Sequence, residues 1–151
     1  QEQARRVAQQ NEQTSGILSG RLPAQGKGIT ISISENSTTP IDAATMFHLI
    51  EELRNAGAEV IEFDGVRVVT STSFTRGNGG LVCDGQTLSS PYIVKAIGDP
   101  STLQSAIDIA GGVGSSLKLD FNATVTITQS DDVKIESVRQ PTAYRYAKTV
   151  E

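Results

Sequence analysis

This sequence is short of the residues that usually carry enzyme chemistry, since it has one histidine, His48, and one cysteine, Cys83. A lone cysteine cannot form a disulfide within the chain, so both reducing and oxidising compartments stay open. Zinc sites of the usual histidine and cysteine type are excluded within the chain. Helical phase predicts a solvated His48 on an outer helix face, and Cys83 is predicted to be a small buried hydrophobe.

Long apolar runs and an excess of basic charge are also lacking. No apolar run approaches the roughly 20 residues that a membrane-spanning helix needs. The 13 lysines and arginines are outnumbered by 17 acidic residues, which gives a formal net charge of −4. This balance argues against a nucleic-acid-binding protein, which normally carries a basic face. The first residue is Gln1 rather than methionine, and we expect the chain to be a piece of a longer protein.

The most informative segment is residues 55–67, which predicts a helix end, a strand, a tight turn and a second strand. Gly57 suits the left-handed backbone conformation that closes a helix. Asp64 and Gly65 supply the two positive φ values of a type I′ hairpin turn. The segment therefore predicts a fold in which helices and antiparallel strands alternate.

Two amphipathic helices are predicted. The first covers residues 39–56, with Thr39 as its N-cap and Pro40 at its first position. Its buried stripe is Met46, Leu49, Ile50 and Leu53. The second helix follows an Asp99 cap and ends or kinks at residues 111–114. Strands are predicted at residues 29–33, 60–72 (a hairpin), 81–83, 91–97, 123–128 and 133–135, with residues 73–80 as a mobile loop and residues 130–132 as a turn.

This order predicts an α+β fold of the ferredoxin-like (split βαβ) type, a two-layer sandwich. We expect a mixed, largely antiparallel sheet with two main helices on one face, plus an N-terminal helix. A doubly wound parallel sheet is the alternative. Residues 1–20 are predicted to form the N-terminal helix, and residues 21–151 a single α+β domain. The weak four-and-three spacing in that helix is typical either of a coiled stalk's end or of a solvated helix.

Two groups of residues are candidates for binding. If Ser115 starts a short helix after Gly114, free backbone N–H groups there can hold an anion; the alternative is a plain loop. In the C-terminal tail, cations and aromatics suit an acidic partner, a lipid headgroup or a wall polymer, and the alternative is an edge strand. The tail candidates are Arg139, Tyr144, Arg145 and Tyr146.

Four phrases of the chain resemble a bacterial family known as domain of unknown function 881, found in proteins of the Ylx type. They are residues 22–28 (LPAQGKG), 52–61 (ELRNAGAEVI), 90–100 (SPYIVKAIGDP) and 139–141 (RQP) with Tyr146 and Ala147 after them. The resemblance implies a membrane protein with one N-terminal transmembrane helix, a coiled segment and this domain on the extracytoplasmic side. It places such proteins near division and cell-wall genes of Gram-positive bacteria. It implies no activity, so no catalytic residues are carried over.

The expected function is a non-enzymatic extracytoplasmic interaction or scaffolding domain of a membrane-anchored bacterial protein, acting in cell division or envelope assembly. We expect protein partners in the envelope, self-association of the full-length protein, and no nucleic acid, cofactor or metal. The alternative is a small-ligand or anion-binding module between residues 76–80 and 111–116. An enclosed pocket with convergent polar groups favours that module, whereas a flat sheet edge or a stalk favours the scaffold.

Overall fold

A strand of alternating isoleucines forms the centre of the fold. The computed structural model describes residues 2–139. In it, β1 (Ala24–Ser34) directs Ile29, Ile31 and Ile33 to one face, where all three are completely buried. The alternation that predicted a strand therefore also marks the core side of the sheet.

Within residues 2–139, five strands form the main sheet, in the order β3-β2-β7-β1-β8. Besides β1, these are β2 (Val60–Phe63), β3 (Val66–Arg67), β7 (Tyr92–Ile97) and β8 (Thr124–Ile135). Every neighbouring pair in this sheet is antiparallel. The α+β prediction is confirmed at this level, and the alternative of a doubly wound parallel sheet is wrong.

Within residues 2–139, three helices cover the isoleucine face, so the prediction of two was wrong: α2 (Ala43–Asn55), α3 (Pro100–Asp108) and α4 (Val113–Asp120). The predicted stripe of α2 is buried in the same cluster as the β1 isoleucines. Asp99 caps α3 as predicted, because its carboxylate accepts the Thr102 backbone N–H. The helix that was expected to end or kink at residues 111–114 ends, and α4 begins there as a separate helix.

The predicted start of the first amphipathic helix is wrong by three residues. Asp42, rather than Thr39, is the N-cap, and its carboxylate accepts the Thr45 N–H at 2.8 Å. The Thr39 hydroxyl instead donates to the Phe121 carbonyl at 2.7 Å. Ile41 is fully buried and its N–H is bonded to Glu35. These tertiary contacts hold the segment extended, which overrides the local capping signal.

The turns predicted from glycine and aspartate are confirmed. Gly57 has φ +95° and follows the C-cap of α2, where the Ala58 N–H reaches back to the Leu53 carbonyl. Asp64 and Gly65 have φ values of 47° and 86°, as a type I′ turn requires. Both turns set the direction in which β2 and β3 run.

Residues 73–80, predicted to be a mobile loop, begin a second antiparallel sheet of three strands. These are β4 (Phe74–Gly77), β5 (Gly80–Cys83) and β6 (Gln86–Leu88). Leu81 and Cys83 are fully buried in the main core. The rings of Phe63 and Phe74 meet edge to face, with centroids 5.0 Å apart. Glycine density suggested mobility, but apolar residues at every second position anchor the sheet.

The last strand also differs from its prediction, because β8 is one strand of 12 residues rather than two short ones. The register shifts where Gly26 pairs with Val133 and Gly28 pairs with Ser130. Asp131 and Asp132 therefore lie in a bulge rather than in a turn, since two residues of β8 face one residue of β1.

The other face of the sheet carries a smaller apolar cluster formed by Val60, Ile97, Val133 and Ile135. Ile17 of α1 (Glu2–Leu18) packs against this cluster. The side chains of residues 3–15 of α1 are exposed. The division into a helix of residues 1–20 and a domain of residues 21–151 stays a prediction.

Candidate interaction site

The C-terminal end of α1 meets the sheet at a polar junction. We call this the α1 junction, formed by Ile17, Gly20, Leu22, Arg67, Ser137 and Arg139. Gly20 has φ +82°, and a Cβ built there would lie 2.8 Å from Cγ1 of Val69. Glycine is required at this position both for the backbone conformation and for the close approach.

Arg67 is the central side chain of the α1 junction and is 2% exposed. One nitrogen, Nη1, donates to the carbonyls of Leu22 at 2.8 Å and Ser137 at 2.9 Å. The other, Nη2, donates to the Ile17 carbonyl at 2.7 Å, in the last turn of α1. Burial lowers the pKa of Arg67, and the nearby charge of Glu62 opposes that shift. A cation at the carbonyl end of a helix also complements its dipole.

The C-terminal segment is held at the same place. The Ser137 hydroxyl donates to Oε2 of Glu62 at 2.6 Å, and the Arg139 backbone N–H donates to the Gly20 carbonyl at 2.7 Å. The Arg139 guanidinium pairs with Asp84 at 2.6 Å, in the turn between β5 and β6. The α1 junction therefore joins α1, β3, the small sheet and the segment after β8.

Of the predicted tail candidates, Arg139 is thus placed in an ion pair within the domain, where its side chain is 32% exposed. Tyr144, Arg145 and Tyr146 lie outside residues 2–139. Binding of an acidic partner by these four residues stays a prediction.

The other candidates, Gly114 and Ser115, lie in the first turn of α4. A Cβ on Gly114 would overlap the Ile107 carbonyl oxygen, so this glycine permits close packing of α3 and α4. The Ser115 hydroxyl lies 3.3 Å from the Gly111 nitrogen and 3.4 Å from the Ile109 oxygen. The residue contributes to the turn between the two helices. Anion binding at this turn stays a prediction.

A second polar group, centred on Glu35, was not predicted from the sequence. One carboxylate oxygen of Glu35 lies 2.8 Å from Nη2 of Arg76, and the other accepts the Tyr92 hydroxyl at 2.7 Å. Arg76 also donates to the Ile41 carbonyl at 3.0 Å. Burial raises the pKa of the Tyr92 hydroxyl, and its bond to Glu35 adds to that shift. These bonds connect the small sheet to β1, β7 and the segment before α2. No local sequence motif predicts them.

His48 and Cys83 have the side chains best suited to acid–base or nucleophilic chemistry. Within residues 2–139, neither is arranged for catalysis. The His48 side chain is 55% exposed and lies 3.6 Å from Glu52, one helical turn along. Cys83 is fully buried. Burial and the adjacent charge of Asp84 raise the pKa of its thiol to about 12. The thiol therefore stays protonated near neutral pH, where it is a poor nucleophile.

Open grooves lie on the surface formed by residues 2–139. One groove of about 820 Å³ runs beside α1 and is lined in part by Gln9, Glu12 and Arg21. Another of about 480 Å³ lies against Pro23 and Lys134. Within this part of the chain, no three histidine, cysteine or acidic residues are grouped as metal ligands. No helix there combines the length and apolar character needed to cross a membrane.

The chain is similar in sequence and in fold to known bacterial proteins. A family described as bacterial protein of unknown function, DUF881, matches residues 11–148. The chain belongs to this family, as its sequence motifs predicted.

Relatives and a solved structure agree with that assignment. UPF0749 protein Rv1825 of Mycobacterium tuberculosis is 36% identical over 138 residues, which cover 89% of this chain and 47% of that protein. UPF0749 protein YlxW of Bacillus subtilis is 28% identical over 129 residues, covering 79% of this chain and 55% of that protein. The chain thus spans about half the length of these curated relatives. The crystal structure of an uncharacterized conserved protein from Mycobacterium tuberculosis is similar with a TM-score of 0.85 and 35% identity, over 93% of this chain and 99% of that one.

Proposed function

We propose that this chain is a non-enzymatic, extracytoplasmic interaction domain of a membrane-anchored bacterial protein, which scaffolds partners in cell division or envelope assembly. The proposal rests on the way α1 is attached to the domain at the α1 junction. The side chains of residues 3–15 are exposed, while the C-terminal end of the helix is fixed by Arg67. A helix of 17 residues is about 25 Å long, so it suits a spacer that holds the domain at a set distance from an anchor.

Strand order supports a ferredoxin-like plan for this domain. The strands β1 and β2 are joined through α2 and have β7 between them, whereas β7 and β8 are joined through α3 and α4 and have β1 between them. Each crossover therefore skips one strand, as in a split βαβ unit. In this proposal, β3 to β6 are additions to the plan, and the small sheet is an extra surface for partners.

The test of location uses the full-length protein with Ser101→Cys, which adds an exposed thiol on α3. Cys83 is the domain's own cysteine and is buried, so the unmodified domain supplies a matched control with little background labelling. We expect a membrane-impermeant maleimide to label the variant in intact cells stripped of their walls. Labelling that requires lysis contradicts an extracytoplasmic domain.

The test of scaffolding is crosslinking in cells followed by purification of the full-length protein from membranes. We expect envelope proteins to be recovered, and to be lost when residues 21–151 are deleted but the upstream segment is kept. Recovery that is unchanged by this deletion contradicts the proposal, because partners would then bind elsewhere.

The alternative function, a small-ligand or anion-binding module, is favoured by the groove beside α1, where Arg21 supplies a cation. Its test is the melting temperature of the domain with increasing inorganic phosphate. A rise that Arg21→Gln abolishes supports binding in this groove. A rise abolished instead by Ser115→Ala moves the site to the start of α4.

A further inference from the structure

Among residues 2–139, β8 has a strand partner on one side alone, so its outer edge is a border of the main sheet. In this part of the chain β8 pairs with β1 and extends over 12 residues, whereas β3, at the opposite border, has 2. Among residues 2–139, no backbone hydrogen bond from a turn or loop reaches residues 124–129. The outward N–H and C=O groups of this segment are therefore available to another strand.

Half of this edge lacks the features that usually protect a border strand. Residues 124–129 read TVTITQ, without a charge, a proline or a register shift. Asp131, Asp132 and Lys134 lie at the other end of the strand, together with the bulge. Natural edges are blunted by charges, prolines or bulges, so the protection here is confined to residues 130–135.

The apolar side chains of the unprotected half are incompletely covered. Val125 and Ile127 pair with Ile33 and Ile31 of β1 and pack against the main core. They are only partly buried, whereas the two β1 isoleucines are fully buried. A strand added along this edge would cover both side chains.

We propose that residues 124–129 pair in antiparallel fashion with the same segment of a second copy of this chain, joining two sheets across a two-fold axis. Pairing centred on Ile127 places Thr126 of one copy opposite Thr128 of the other. Asp131 then falls opposite Ala123, so the aspartates of the bulge do not oppose one another. The segment can therefore pair with itself without placing like charges opposite one another.

The length of the contact sets its strength. A six-residue strand pair is small beside the roughly 1,200–2,000 Å² of a stable interface, so isolated domains associate weakly. Association strengthens when copies are held close together on one membrane. This inference rests on the proposed interaction function and deepens it by naming a surface and a partner. Variants of β8 leave the α1 junction intact. Failure of the β8 pairing can therefore be distinguished from failure of the proposed interaction function.

The experiment is sedimentation equilibrium of residues 1–151 from micromolar to millimolar concentration. The wild type associates reversibly. Thr126→Lys with Thr128→Lys sets lysines against lysines and weakens association about tenfold or more, equivalent to roughly 1.4 kcal/mol. Thr126→Lys with Thr128→Glu instead pairs each lysine with a glutamate of the other copy, and associates at least as well as the wild type at low salt.

The matched control is Thr75→Lys with Thr87→Lys, which puts the same charges on exposed threonines of the small sheet and leaves association unchanged. Hydrogen exchange provides a second readout on the wild type, because amides of residues 124–129 gain protection as concentration rises. A wild type that stays monomeric at millimolar concentration overturns the proposal. The proposal is also overturned if the lysine–lysine and lysine–glutamate variants of β8 lose association equally while both remain folded. Association that appears only after deletion of residues 140–151 would show that these residues occupy the outer edge of β8. That result also overturns the proposal.

Discussion

Arg67 uses its charge to satisfy backbone carbonyls at the end of a helix. Its three hydrogen bonds reach the carbonyls of Ile17, Leu22 and Ser137, each of which is distant from Arg67 in the sequence. The planar guanidinium directs its donors in fixed directions, which the single nitrogen of a lysine cannot reproduce. The side chain therefore sets the orientation of α1 on the sheet.

Arg67→Lys is expected to lower the free energy of unfolding by about 1–3 kcal/mol, because carbonyls at the α1 junction lose charged donors. Hydrogen exchange measured by mass spectrometry should show faster exchange in residues 15–22 than in α2. Lys118→Arg, an exposed change on α4, is the control and should alter neither quantity. Equal acceleration across the whole domain would show that Arg67 supports the core rather than the helix.

Cys83 gives the domain a pH-dependent stability at high pH. Its thiol pKa rises from an ordinary value of 9.0 to about 12 on folding. Below pH 9 the thiol is protonated in both states, whereas between these values only the unfolded state ionises. Stability should therefore fall as the pH rises from 9 to 12, by up to about 1.4 kcal/mol per pH unit.

Urea unfolding across this range is the measurement, with Cys83→Ala as the matched variant. Tyr92 also has a raised pKa, so part of the decline should persist in the variant. The difference in slope between the two proteins isolates the cysteine. Identical slopes would contradict the burial-induced shift.

Leu53 tests the packing of α2 on β1. The side chain is fully buried in the main core together with the β1 isoleucines. Leu53→Ala should cost about 2–5 kcal/mol, since it removes apolar contacts and leaves a cavity. His48→Ala on the exposed face of the same helix is the control and should stay within about 0.5 kcal/mol of the wild type. A loss for Leu53→Ala no larger than this control would contradict the packing.

At the level of elements, the end of α2 depends on one glycine. Gly57 has φ +95°, and a Cβ added there would meet no atom within 4 Å, so any penalty comes from the backbone alone. Gly57→Ala should therefore cost about 1–2 kcal/mol. Gly79→Ala is the control, because a Cβ there meets only ordinary contact with Thr87 at 3.7 Å. Thermal unfolding compares the two, and equal stability would contradict strain at Gly57.

Elements with strong local signals were predictable from the sequence. The isoleucine alternation, the α2 stripe and the Asp64 turn each depend on residues close together in the chain. The small sheet was missed because the glycines of residues 77–80 favour a loop locally, while burial of Leu81 and Cys83 decides the outcome. The α2 start was misplaced for the same reason, since Thr39 is engaged by a residue 82 positions away.

The candidate site was the least predictable part of the molecule. Arg67 appears in the sequence as one cation in a short apolar strand, and nothing near it reveals that three carbonyls converge there. Glu35, Arg76 and Tyr92 come from three separate segments, so their grouping depends on the complete topology. Arg139 was selected for charge and aromatic neighbours, yet its guanidinium pairs with Asp84.

At the scale of the whole molecule, the exposure of α1 decides how the isolated domain behaves. The positions that follow the alternating four-and-three spacing of a coiled coil are all exposed, and all except the last are small or polar: Ala4, Ala8, Asn11, Ser15 and Leu18. The exposed part of α1, residues 3–15, lies in the range of about 12–15 residues in which isolated helices are marginal in water, and a coiled coil with such a seam gains little apolar burial. The helix by itself should not hold a tight dimer.

Residues 1–151 should therefore be monomeric at micromolar concentration, and under the proposed membrane-anchored arrangement the full-length protein should associate through a longer coil. Sedimentation velocity of residues 1–151 and of a version lacking residues 1–20 provides the test, and the two should sediment as monomers of their respective masses. The weak β8 contact would appear only at higher concentration, because a short strand pair exceeds the entropic cost of association by a small margin. A tight dimer that survives removal of residues 1–20 would move the main association surface to the sheet and contradict the role of α1 as a stalk.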